Sequence, residues 1–210
     1  MTPRSVSDIR SQADQLIALI DDALNGQVNA ILHHAAFQAM EARWRGLAMV
    51  VREASRCPEV KVKLLNASWR ELARSMERAT DFDQSHLFEI IYNREFGMPG
   101  GEPIGLLIGD YTFSPDDIDG IDSITTLSQI GMVAAASFCP FIAAASPATI
   151  GLEDFSELSR VQDFSWLKQE KSRLRWNVLR ARDDSRFIGL VAPRILLRSP
   201  HKPYSRRRED

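Results

Sequence analysis

Cysteine is nearly missing from this chain of 210 residues, with Cys57 and Cys139 its two members. Two thiols cannot build a disulfide framework, so the sequence reads as a reduced, cytoplasmic protein stabilised by burial. Charge imbalance is missing too. A formal net charge of −2 provides no general field to attract nucleic acid or an anionic membrane. The start Met1-Thr-Pro-Arg-Ser5 leads into a polar helix and not into an apolar signal core. One stretch, 124–152, has no charged residue, yet it leans on Ala and Ser and is broken by Pro140. A membrane span needs about 20 strongly apolar residues. A buried helix ending near Phe138, followed by a buried strand 141–145, accounts for the run better, and no membrane insertion is expected.

The usual marks of chemistry are also absent. Gly97, Gly100, Gly101, Gly105 and Gly109 crowd the segment EFGMPGGEPIGLLIGDY, but none is followed by Lys-Ser or Lys-Thr as a phosphate loop requires. Gly97, Gly100 and Gly101 precede the apolar run 104–108, whereas a dinucleotide fingerprint follows a strand and opens a helix. They read as structural turns, with Gly105 and Gly109 admitting close approach to a strand. His33 and His34 are adjacent, so on a helix they point about 100° apart and cannot clamp one metal. His86 and His201 stand alone, and neither cysteine has zinc spacing to a histidine. Asp116, Asp117, Asp119 and Asp122 cluster at a helix start, where acids complement the macrodipole. Three arginines at 206–208 sit in a frayed end. Trp44, Trp69, Trp166 and Trp176 occupy positions suited to core or interface. The expectation is no enzyme, no cofactor, no metal and no nucleic acid.

What is present is a pattern of helices and short strands. Ile9, Leu16, Ile17, Ile20 and Leu24 recur at helical spacing over 6–24, and Gly26 is expected to separate this helix from a second over 28–55. Phe37 and Trp44, seven residues apart, lie on one face of that second helix and are expected to pack it against the rest of the protein. VKVKLL (60–65) alternates like a strand with one wet face. Ser68-Trp-Arg-Glu71 is a capping box opening a helix to about Arg78, and Asp83 is expected to cap the next, 84–95. Strands are expected at 104–108, 141–145 and 187–191. Helices are expected from Ser114-Pro onward, at 152–158 and at 166–181. The fold class is α/β: a helical N-terminal arm, then alternating helices and strands around a mixed, partly parallel sheet. The expected division is an arm 1–55, an α/β domain 56–200 and a disordered tail 201–210.

Five ordered blocks then carry a resemblance: ILHHAAFQAMEARWRGL (31–47), VKLLNASWREL (62–72), FGMPGGEPIGLLIGDYTF (96–113), FCPFIAAASP (138–147) and FIGLVAPRILLRSP (187–200). Together they resemble the large subunit of the type VI secretion contractile sheath, the TssC, VipB or EvpB family, over its N-terminal part. The resemblance implies a structural subunit of a homo- and hetero-oligomer. Its implied partners are a small sheath subunit (TssB/VipA-like), an inner-tube protein (Hcp-like) and a ClpV-like AAA+ unfoldase. Leu16, Ile17, Ile20 and Leu24 then become candidate partner-interface residues. The alternative expectation is a truncated paralogue that binds or regulates sheath parts.

Overall fold

The computed structural model describes residues 6–116, 120–160, 163 and 173–199. The chain divides into two compact units. Among the described residues one unit runs to Lys63 and takes in 195–199, and the other lies within Leu64–Arg194.

The first unit is built on two helices. α1 spans Val6–Leu32 and α2 spans Ala35–Ala54. The expected break at Gly26 does not occur. A glycine inside a helix costs only about 1 kcal/mol relative to alanine, and the long apolar register on either side outweighs it. The break falls instead at the two histidines. His34 is extended and its Nδ1 accepts a hydrogen bond from the Ala36 N–H, so it serves as N-cap of α2. His33 Nδ1 lies 2.8 Å from the Asn29 carbonyl oxygen, which can only accept, so that nitrogen carries the proton. The neighbours therefore hold opposite Nδ1 roles, donor in His33 and acceptor in His34.

The second unit contains the core. α3 (Trp69–Arg78) begins with the expected capping box: Ser68 Oγ accepts from the Glu71 N–H while the Glu71 carboxylate accepts from the Ser68 N–H. Asp83 does not cap the next helix. Ser85 does, its buried hydroxyl accepting from the Phe88 N–H at the start of α4 (His86–Phe88). α4 runs on as a π-helix, Glu89–Phe96, along which Phe88 and Tyr92 stack with ring centres 4.7 Å apart. β1 is Leu107–Phe113, α5 is Ser123–Ala136 and β2 is Phe141–Ala145. α6 (Leu174–Ala181) and β3 (Ile188–Val191) complete the order.

The three strands form one sheet in the order β1-β2-β3, parallel throughout, so the expectation of a mixed sheet is corrected. Parallel pairing follows from connectivity, since each strand is joined to the next through a helix. A bulge between Gly109 and Thr112 shifts the register of β1 against β2. VKVKLL forms no strand, and residues 60–65 are exposed coil. Alternation suits a residue run to a pleated edge, but a ladder partner is what makes it a strand. The helix expected at 152–158 is a 3₁₀ segment, Phe155–Arg160. The early part of the helix expected from Trp166, the acids Asp117 and Asp119, and the tail 201–210 lie outside the described residues.

α5 is the centre of the packing. Ile124, Leu127, Ile130, Val133 and Ala134 are buried with Leu72 and Met76 of α3, Phe88 and Ile91, Phe113 of β1, and Phe141 and Ala143 of β2. A helix with almost no charge is stable in water only when covered this way, which is why the charge-free run reads as core. Its start is fixed by Asp122, whose carboxylate accepts from the Thr125 N–H and pairs with Arg175. Burial pushes the Asp122 carboxyl upward, but these bonds outweigh it and leave it below the ordinary range. Among the described residues no helix is long and apolar enough to cross a membrane.

Candidate assembly surface

Among the described residues no group of three His, Cys, Asp or Glu could hold a metal ion. The Cys139 thiol is buried and its titration is pushed up to about 11, the opposite of an activated nucleophile.

The glycine segment is a turn leading to a strand. Gly100 has φ +84, a conformation that favours glycine, and a Cβ on Gly101 would fall on the Glu95 carbonyl oxygen. Gly97 donates its N–H to the Tyr92 carbonyl and ends the π-helix. A Cβ on Gly109 would come within 2.7 Å of Phe141 Cζ, so β1 and the β2 ring are in close approach there. Close approach does not extend to Gly105, which precedes β1 and faces open space.

The interface candidates lie together on α1. Leu16, Ile20 and Leu24 follow one another at i, i+4 and i+8, with Ile17 beside them, so all four share one face. None of the 27 residues of α1 is buried, and the four are between 54% (Leu24) and 60% (Leu16) exposed. Ile9, Val28 and Ile31 extend the same stripe and are equally open. An apolar stripe this long is unusual on a monomer surface.

α2 is similar. It has no buried residue, Phe37 is half-buried, and Trp44 is 63% exposed. Seven-residue spacing does put both rings on one side of the helix, but in this chain the indole is offered to solvent.

Sequence reasoning missed Glu41 and Arg198, which the fold brings together within the first unit across 157 positions. Arg198 Nε donates to Glu41 Oε1 at 2.7 Å and Arg198 Nη2 donates to Oε2 at 2.5 Å, a two-pronged pair. Arg45, one turn along α2, donates from Nε to Oε1 at 2.8 Å. The Arg198 bonds first, and then those of Arg45, hold the Glu41 carboxyl at about 2 against an ordinary 4.5. No local signal announces a pair so distant in sequence, since charge spacing predicts only i, i+4 partners such as Glu41 and Arg45.

Residues 14–210 match the family described as EvpB/VC_A0108, tail sheath N-terminal domain, under the name VipB. The chain is also 38% identical over 199 residues to the type VI secretion system sheath protein TssC1 of Pseudomonas aeruginosa strain PAO1. That similarity takes in 93% of this chain and 39% of the relative, so the chain spans well under half the relative's length.

Proposed function

Because the chain belongs to the VipB family of tail sheath N-terminal domains, a structural family and not one of enzymes, we propose that it is a sheath large-subunit component. In this reading it assembles in the cytoplasm with a small sheath subunit around an inner tube. The observation that carries this is the uncovered stripe of α1, with Leu16, Ile17, Ile20 and Leu24 as its centre. Phe37 and Trp44 of α2 are proposed to pack in the assembly, and the turn glycines to give β1 a fixed approach. Disassembly by a ClpV-like unfoldase belongs to the same reading.

Magnitudes say how the stripe must be used. Each of the four residues has just over half its surface left to bury, worth about 1 kcal/mol apiece and about 4 kcal/mol together. Association costs about 4–15 kcal/mol before any net affinity appears. The four alone would not hold a partner, so the stripe is used along its length, from Ile9 to Ile31.

The test is light scattering on the purified chain, alone and co-expressed with the small sheath subunit. Alone it is expected to self-associate or to be poorly soluble; with the small subunit it is expected to co-elute as one complex. Leu16→Asp with Ile20→Asp should abolish co-elution while leaving the second unit folded. A stable monomer that ignores the small subunit overturns the proposal and leaves an independent module.

A further inference from the structure

Residues 195–199 form a short strap that follows β3 and belongs to the helical unit, with Ile195, Leu196 and Leu197 exposed. Ile195 and Leu196 are about three-quarters exposed, so burial does little to keep that end of the strap in place. Arg198 ties the strap to α2, gripping Glu41 with two hydrogen bonds of 2.7 and 2.5 Å and donating a third, from Nη1, to the Ser199 carbonyl at 2.7 Å. The pair is largely shielded: the Glu41 side chain is 17% exposed and that of Arg198 25%.

A shielded ion pair normally resists opening, because removing one partner strands the other charge. Glu41 escapes that penalty. Its Oε1 already accepts from Arg45 at 2.8 Å, on the same helix and half exposed, so the carboxylate keeps a cation when Arg198 departs. Arg198 departs into water, where a guanidinium is fully solvated. Both states of Glu41 are thus hydrogen-bonded and charge-compensated.

We propose that Glu41, Arg45 and Arg198 form a reversible latch in which Arg45 lets Glu41 release the 195–199 strap. Closed, the strap rides on α2. Open, it is free to take up another path, and the i, i+4 pair Glu41–Arg45 remains. The latch goes beyond the assembly role, because it operates in the isolated chain.

Trypsin reads the state of the latch, since it must engulf the Arg198 side chain to cut the Arg198–Ser199 bond and cannot do so while Glu41 holds it. When opening is fast, cleavage follows the open population. Initial cleavage rates at this bond would be followed by mass spectrometry on the full chain, with the exposed Arg56–Cys57 bond as the internal reference. Glu41→Ala, and Glu41→Gln as a milder variant, should speed cleavage about tenfold or more relative to the reference. Arg45→Ala should slow it, because Glu41 then depends on Arg198 alone. Unchanged cleavage in both Glu41 variants overturns the latch. Unchanged or faster cleavage in Arg45→Ala overturns the stand-in role of Arg45 and with it the reversibility.

Discussion

α1 and α5 are both helices rich in apolar residues, yet they have opposite fates. α1, with 27 residues, buries none of them. α5, with 14, buries eight, including Leu127, Ile130 and Val133 at no measurable exposure. The difference is not propensity, since both form without strain. It lies in what is available to cover them. α5 is flanked in sequence by β1 and β2, and pairing those strands in parallel brings the helix onto the sheet. Within their own unit, α1 and α2 have each other and the strap among the described residues, and two helices do not enclose a core. A stripe of leucines therefore specifies a face, whereas a layer of secondary structure opposite decides whether that face is buried.

Substitution makes the contrast measurable. Leu127→Ala should cost about 2–5 kcal/mol in urea unfolding, as a large core side chain with no room to collapse. Leu16→Ala, the same chemical change on α1, should stay within about 0.5 kcal/mol at concentrations low enough to keep the chain monomeric. Similar losses at both sites would mean that α1 is already covered in solution by another copy.

A smaller effect separates the caps. Asp122 starts α5 with bonds to Thr125 and Arg175, so Asp122→Ala should cost about 1–2 kcal/mol. His34 caps α2 with one bond of 3.2 Å at an exposed site, and His34→Ala should cost about 0.5 kcal/mol or less. Thermal unfolding by circular dichroism checks both. Equal costs would erase the distinction between a helix start tied into a core and one standing alone.

Legibility in the sequence divides along the same contrast. The helix–strand pair around Pro140 reads closely because two independent signals agree: a run without charge and a proline that ends it. The capping box at Ser68 is legible because its chemistry is local. The break between α1 and α2 is misplaced by sequence reasoning because glycine is the louder sign, while a histidine cap depends on a ring nitrogen. VKVKLL misleads because alternation records which faces are wet and carries no information about a ladder partner. At the candidate surface, the α1 stripe is visible as periodicity, but the partnership of Glu41 and Arg198 exists only after the chain has folded.

A titration tests the Glu41 pair. Glu41 has its carboxyl at about 2 when folded and an ordinary value of 4.5, so its bonds contribute stability above about pH 4.5. That contribution is lost as pH falls toward 2. Carbon-detected NMR should place the Glu41 midpoint near 2 and show it rising in Arg198→Ala, with Arg45 still restraining part of the shift. A midpoint that does not move would show that Arg198 does not hold the carboxylate in solution.

The length of α1 has a mechanical consequence. At 27 residues it is a rod of about 40 Å, and it meets α2 at a joint two residues long. A rotation of roughly 10° at that joint sweeps the far end through about 7 Å, more than one helical turn. Two bonds cross the joint: the His34 N–H donating to the Ile31 carbonyl at 3.1 Å and the Gln38 side-chain amide donating to the Leu32 carbonyl at 3.3 Å. Short-range contacts at one end thus bear on where Ile9 arrives at the other.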